Sequence, residues 1–411
     1  MPLTISNYTV LSPYALLIEL FKYEKTIGQG VIPIPLLDEI LKRIDPTYRF
    51  LTIKAIKAEG AIFCVENVLK EKIALKILRP NLNPEWVAGQ ETLVKNAVLK
   101  FKNRFEEGVK IQKELCVLKQ RAKIDSFSFP DVKKYSLKPF PYLEMEWVQG
   151  RNILDWLAEK NDVLYSLEKF VQFLDCLIFV HEENIIHRDI KSENIMYSAR
   201  TRTDDCIWLC DWSLSKKEMN RNLTCLGEGF GTPGYASVDQ LEDKKALEAT
   251  KQDDIYSSGM VMWEFFYNKY IPAPLRSEGD GKESKKRGRY LEKMGSVLPE
   301  ALQPIFYRAT NVDREKRYKD ITSFKRDLII AIGKMTGGEK HKYLNIFDAD
   351  KFFAIAKTEL GEIKEEIEEI IDTDIPVSVD IEKLVKDKDN IEVIKNIMEV
   401  LGIMEVYDYE K

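Results

Sequence analysis

The chain has 411 residues, 45% of them hydrophobic and 31% charged, with a formal net charge of −5. This is an ordinary globular balance with length for two or three domains, which excludes wholesale disorder and collagen-like structure. The slightly negative total also excludes the global basic excess expected of a nucleic-acid partner.

The charge is unevenly spread. Residues 351–411 carry 17 acidic and 8 basic side chains, so the acidic surplus belongs to the C-terminal region. Met1-Pro2-Leu3-Thr4-Ile5 lacks the basic and apolar regions of a secretory leader. No run reaches the roughly 18 apolar residues of a membrane span. Cys64, Cys116, Cys176, Cys206, Cys210 and Cys225 are scattered without paired spacing. They read as reduced thiols, and the expected location is cytoplasmic.

Along the chain, residues 1–47 read as an N-terminal extension. Pro13–Phe21 forms one short apolar helix, and Leu36–Ile44 a second, with Pro33 and Pro35 at its start. Residues 49–57, 61–69 and 72–78 are rich in Ile, Val, Phe and Ala and read as three antiparallel strands. Ile27-Gly28-Gln29-Gly30 lies too far ahead of them for one hairpin and reads as a turn. Residues 91–120 repeat apolar side chains every three or four positions, as a helix does. Tyr142–Val148 reads as a strand, and helices are expected at 152–159, 165–182, 253–268, 298–308 and 320–334. Arg276–Arg289, poor in apolar residues, reads as a solvated loop whose Lys285-Lys286-Arg287 run suits an acidic partner. Residues 359–371 and 381–406 carry apolar stripes on acidic helices. Strands first and helices later indicate an α+β protein.

Polar chemistry concentrates in His187-Arg188-Asp189-Ile190-Lys191-Ser192-Glu193-Asn194, which follows an amphipathic helix ending at His181. Asp211-Trp212-Ser213 comes next, then Gly231-Thr232-Pro233-Gly234-Tyr235-Ala236-Ser237-Val238-Asp239 and Asp254-Ile255-Tyr256-Ser257-Ser258-Gly259. Upstream stands Ile73-Ala74-Leu75-Lys76-Ile77. Five such motifs in this order resemble the eukaryotic-type (Hanks-type) serine/threonine protein kinases. The resemblance covers residues 48–335 and leaves both flanks outside.

The resemblance implies a bilobal α+β fold. Its β-rich N-lobe would span 48–146 and its helical C-lobe 149–335, with helical extensions at 1–47 and 336–411. It implies ATP and Mg2+ as cofactors and a protein hydroxyl as acceptor. Phosphoryl transfer asks a protein mainly for positioning and charge neutralisation. Asp189 would orient the acceptor hydroxyl, and Lys191 would hold a γ-phosphate oxygen. Asn194 and Asp211 would offer oxygen ligands to the metal. Lys76 would grip the α- and β-phosphates, and His187 would support the core beneath the metal loop. The carboxylate partner of Lys76 is Glu114 or Glu107. Glu114 is favoured because Val117 and Leu118 follow it at the spacing that turns a helix toward the core. Met145 would be the gatekeeper of a hinge in which Glu146 to Val148 bond the adenine. Val65, Ala74 and Met196 would sandwich its ring.

The sequence departs from the family pattern in places. Of the three phosphate-loop glycine positions, Ala58, Gly60 and Phe63, only Gly60 is glycine. Each replacement costs about 1–2 kcal/mol where the backbone is strained, so weakened nucleotide binding is expected. Ser213 stands for the usual glycine, and Asp239 for a glutamate that pairs with an arginine, here Arg317. Glu228 occupies a common phosphorylation position and can pair with Arg188, with Thr224 as the alternative phosphosite. Glu193 would favour a basic residue near the acceptor. Lys191 favours the serine/threonine class. The alternatives are a pseudokinase acting as a binding scaffold, motivated by the eroded glycine loop, and a small-molecule kinase. Residues 336–411 are candidates for recruiting a regulatory partner.

Overall fold

The computed structural model describes residues 8–9, 13–21, 32–57, 60–79, 91–138, 141–199, 205–218, 231–241, 249–271 and 284–336. The expected Ile27–Gly30 turn, Ala58, Thr224, Glu228 and the helices of the acidic C-terminal region lie outside these residues. In chain order the elements begin with α1 (Pro13–Phe21), α2 (Ile34–Ile44), β1 (Arg49–Lys57), β2 (Gly60–Glu66), β3 (Lys72–Leu78) and α3 (Glu91–Arg121). Next come β4 (Phe127–Ser128), β5 (Val132–Ser136), β6 (Tyr142–Glu146), β7 (Arg151–Asn152), α4 (Ile153–Lys160) and α5 (Val163–Glu182). Then follow β8 (Ile185–Ile186), β9 (Ile195–Ala199), β10 (Asp205–Leu209), β11 (Lys216–Lys217), α6 (Val238–Leu241) and α7 (Lys251–Tyr267). The last helices are α8 (Ser284–Ser296), α9 (Gln303–Ala309) and α10 (Ile321–Met335).

The chain divides into two compact units. The first holds residues up to Glu106 together with Pro130–Gln149, and the second holds Glu107–Phe129 and everything from Gly150 onward. The boundary differs from the expected 48–146 and 149–335. Ile111, Leu115 and Leu118 on α3 belong to one apolar core with Phe127, Phe129 and Trp212, which draws residues 107–129 into the second unit.

The first unit is built on an antiparallel sheet of order β1-β2-β3-β6-β5. The β2–β3 turn is set by the Asn67 side chain, which accepts from Leu69 N (2.9 Å) and Glu71 N (3.0 Å). Alternation along β2 and β3 then sorts the side chains. Cys64 pairs with Ala74 and Ile62 with Lys76 on one face, while Ala61 with Ile77, Phe63 with Leu75 and Val65 with Ile73 share the other. That second face is closed by α1 and α2, whose Leu16, Leu20, Leu36, Leu37, Ile40 and Leu41 are buried with it. The N-terminal helices therefore complete the core of this unit. Val65 is corrected by this register: it packs beneath the helices, on the opposite face from Ala74 and Lys76.

The second unit centres on α5, whose Phe170 meets Phe265 of α7 (5.4 Å) and Phe324 of α10 (5.9 Å). Asp162 caps α5 by accepting from Leu164 N and Tyr165 N. Residues 284–289, expected within a loop, begin α8 instead. The reason is Arg287, which sits in an apolar position one turn before Leu291 and is fully buried. Its Nε donates to the Tyr256 hydroxyl at 2.7 Å and its guanidinium lies over that ring. Among the described residues no helix is long and apolar enough to cross a membrane.

Candidate active site

The second unit brings five of the expected residues together through one antiparallel ladder. A single helical turn, Ser192–Asn194, leads into β9, and Asp211 follows β10. Because Ile195 pairs with Leu209, the two ends of the hairpin meet, and Cys210 N donates to Asn194 O at 2.9 Å. Asn194 and Asp211 thus emerge side by side from the same end of the ladder.

Asp189 is buried and fully engaged by its neighbours. Lys191 Nζ lies 2.6 Å from Asp189 Oδ2, and Thr232 Oγ1 donates to Asp189 Oδ1 at 2.7 Å. Lys191 Nζ also donates to Thr232 Oγ1 at 2.6 Å, closing a triangle. Asn194 Nδ2 donates to Asp189 O (2.9 Å) and Oδ2 (3.0 Å). Burial pushes the Asp189 carboxyl up, but the Lys191 ammonium and the bonds from Lys191 and Thr232 outweigh it and the nearby Asp211. The net shift is below the ordinary carboxylate value, so Asp189 is an anion at neutral pH.

The backbone under these groups is strained and clamped. Arg188 (φ 71°) and Asp211 (φ 68°) occupy the left-handed region, a conformation costing about 1–2 kcal/mol for a side-chain-bearing residue. Asp254, on α7 and fully buried, accepts from the backbone N–H groups of His187 and Arg188, both at 2.8 Å, and bonds His181 Nε2 at 2.9 Å. Gln240 holds Arg188 O at 3.0 Å. Gly231 (φ 97°) passes so close that a Cβ there would lie 3.1 Å from Arg188 O. His187 is buried against the segment that carries Asp211. Burial lowers its pKa and keeps it neutral, so Nε2 donates to Cys210 O at 3.2 Å while Nδ1 accepts from Asp189 N at 3.3 Å. Its ring meets Trp212 edge-on at 4.7 Å.

The Asp211–Ser213 loop is fixed from two sides. Ser213 Oγ donates to Asp211 Oδ1 at 2.7 Å. On the other side α3 passes at Gly108, where a Cβ would stand 2.5 Å from Trp212 O. One turn and a half further along α3, Glu114 Oε2 lies 3.1 Å from Lys217 Nζ on β11. Asp239 meets Arg317 at 3.4 Å, the pairing expected for the shortened carboxylate, and Arg317 also reaches Asp253 at 3.3 Å.

The donor set fits a hard divalent cation. Asn194 spends its amide N–H groups on Asp189, which leaves the carbonyl oxygen as the group it can offer beside the Asp211 carboxylate. Among the described residues no three His, Cys, Asp or Glu side chains gather to hold a metal alone. Two protein oxygens suit a cation that takes its other ligands from phosphate and water.

In the first unit Lys76 is buried on β3, paired in register with Ile62 and Leu143. Ala74 lies on the same face, with Cys64 opposite it. Met145 and Glu146 end β6, and Val148 is buried just beyond. Gly60 has a reason of its own to be glycine: a Cβ there would lie 2.5 Å from Ile77 O across the β2–β3 ladder. Phe63, another of the three loop positions, faces α1 and α2. Sequence reasoning did not assign Asp254, Gln240, Gly108 or Lys217. Asp254 stood within a recognised motif, but its partners are brought to it only by the fold.

Comparison with known proteins agrees with these features. The family model described as protein kinase domain matches residues 91–335. The chain is 22% identical over 283 residues to the probable serine/threonine-protein kinase PknB of Lactococcus lactis, covering 66% of this chain and 40% of that one. It is 27% identical over 219 residues to serine/threonine-protein kinase PknD of Chlamydia pneumoniae, covering 49% and 22%. It is 27% identical over 230 residues to PknA of Corynebacterium glutamicum, covering 55% and 44%. The chain therefore spans less than half the length of these three relatives.

Proposed function

The chain belongs to the protein kinase domain family, and from that premise we propose that it transfers the γ-phosphate of ATP to serine or threonine hydroxyls of a protein. The observation that carries this reading is the Asp189–Lys191–Thr232 triangle beside Asn194 and Asp211. An anionic Asp189 orients the acceptor hydroxyl and receives its proton. Lys191, already 2.6 Å from that carboxylate, neutralises charge on the transferring phosphoryl oxygens. Asn194 and Asp211 hold magnesium, which neutralises the phosphates when bound.

The remaining assignments follow the same reading. Lys76 grips the α- and β-phosphates, with Glu114 as its carboxylate partner. The backbone from Glu146 to Val148 bonds the adenine, and Ala74 and Met196 contact its ring. Cys64, across the ladder from Ala74, takes the place first given to Val65. Gly60 lies beneath the phosphates. The catalytic domain runs over 48–335, with residues 1–47 as its structural extension and 336–411 as a site for a regulatory partner. The expected compartment is the cytoplasm.

The test is transfer of label from radiolabelled ATP and magnesium to a basic acceptor protein, beside an Asp211→Asn control. Label on serine and threonine that vanishes in the control supports the proposal. No transfer, with no nucleotide-induced rise in melting temperature, overturns it in favour of a binding scaffold.

A further inference from the structure

The metal loop carries a side chain where the family pattern has none. Ser213 stands at the position of the usual glycine, two residues after Asp211. Its hydroxyl donates to Asp211 Oδ1 at 2.7 Å, and its backbone N–H approaches the same oxygen at 3.4 Å. We propose that the Ser213 hydroxyl is a positioning group for the Asp211 carboxylate, holding it ready for the divalent cation that accompanies the nucleotide. The inference rests on the kinase reading above and adds a residue to it.

Three observations support the assignment. Asp211 has φ 68°, a conformation an aspartate leaves readily unless something holds it. With glycine at 213 the contact offered by that residue would be its N–H at 3.4 Å, beyond the usual range of a strong hydrogen bond. The hydroxyl closes a short ring instead, with a bond to a charged acceptor. The donor itself is anchored. Trp212 is buried against Phe129 (5.3 Å) and His187, and its carbonyl is pressed by α3 at Gly108. Ser213 therefore presents its hydroxyl from a fixed backbone. A carboxylate oxygen has two lone pairs, so accepting one hydroxyl leaves capacity for a cation. Serine at this position supplies a brace that glycine has no side chain to make.

The experiment follows metal binding and does not depend on turnover. The full chain, with a non-hydrolysable ATP analogue, is titrated with magnesium chloride, and the rise in melting temperature is recorded. Wild type is compared with Ser213→Ala, Ser213→Thr and Asp211→Asn. Loss of a bond to a charged group is worth roughly tenfold. The expected result is that Ser213→Ala needs about tenfold more magnesium for the half-maximal shift. Ser213→Thr, which keeps the hydroxyl, titrates like wild type, and the melting temperatures without ligand coincide. An alanine variant that titrates like wild type, or more tightly, overturns the assignment. So does one whose weaker titration is matched by an equal fall in unliganded stability. A wild type with no magnesium-dependent shift and no label transfer overturns the kinase reading and this inference with it.

Discussion

The two units are organised on different principles. In the second, Asp189, Lys191, Asn194 and Thr232 satisfy one another. In the first, the glycine pattern is eroded, and the surviving Gly60 is explained by strand pairing alone. There the face of the sheet away from Lys76 is closed by two helices that precede the family match at residue 91. The difference teaches that a polar site can be read from short spacings, because its residues lie close in sequence. A sheet face cannot, because one residue of register decides which side each neighbour takes.

That contrast explains which groupings are visible in the sequence. Asp189 to Asn194 share six residues of chain, and Asp211 follows after one hairpin. The family resemblance placed Val65 beside Ala74, but register sends it to the opposite face. Helix α8 was hidden because its core position is filled by Arg287, whose charge broke the apolar stripe while Tyr256 received it. The clamps on Arg188 come from Asp254 and Gln240, more than fifty residues away in the chain. No local pattern announces such contacts.

The sharpest way to break the comparison is to remove one anion from the polar site. Asp189→Asn should reduce kcat by roughly 10²–10⁴-fold, the usual contribution of a positioned acid or base. The melting temperature should stay near wild type, because asparagine can still meet Lys191 and Thr232. A variant with nearly full kcat would place the chemistry elsewhere.

In the first unit the largest expected effect is on stability. Leu36→Ala opens a cavity in the core shared by α2 and the sheet, where Leu36 is fully buried. The cost should be about 2–5 kcal/mol, read by denaturant unfolding. A surface-like change of a few tenths would mean that the N-terminal helices are an appendage and not part of the core.

Glu264 tests the second unit through pH. It is fully buried on α7 and accepts from Tyr235 Oη (2.6 Å) and Ile271 N (2.8 Å). Burial, reinforced by the charge of Glu193, pushes its pKa up to about 7. An unfolded glutamate titrates near 4.5, so the folded state binds this proton more tightly. Its contribution is present in full below about pH 4.5 and is lost as pH rises through 7. The loss amounts to roughly 3 kcal/mol. Glu264→Gln should flatten this part of the stability profile relative to wild type. Parallel profiles between pH 5 and 7.5 would exclude the assignment.

The smallest effects compare the two glycines directly. Gly60 and Gly108 each leave room for a carbonyl, Ile77 O in the sheet and Trp212 O in the Asp211–Ser213 loop, at the same 2.5 Å from an added Cβ. Alanine at either position forces backbone apart and should cost about 1–3 kcal/mol. The functional consequences should differ. At Gly60 the strain falls on the β2–β3 ladder of the first unit, so the loss should be confined to stability and to KM for ATP. At Gly108 it falls on the residue between Asp211 and Ser213, so the magnesium requirement should rise as well. Equal magnesium titrations for the two variants would show that the backbone of α3 does not buttress the metal loop. The comparison would then rest on hydrogen bonds alone.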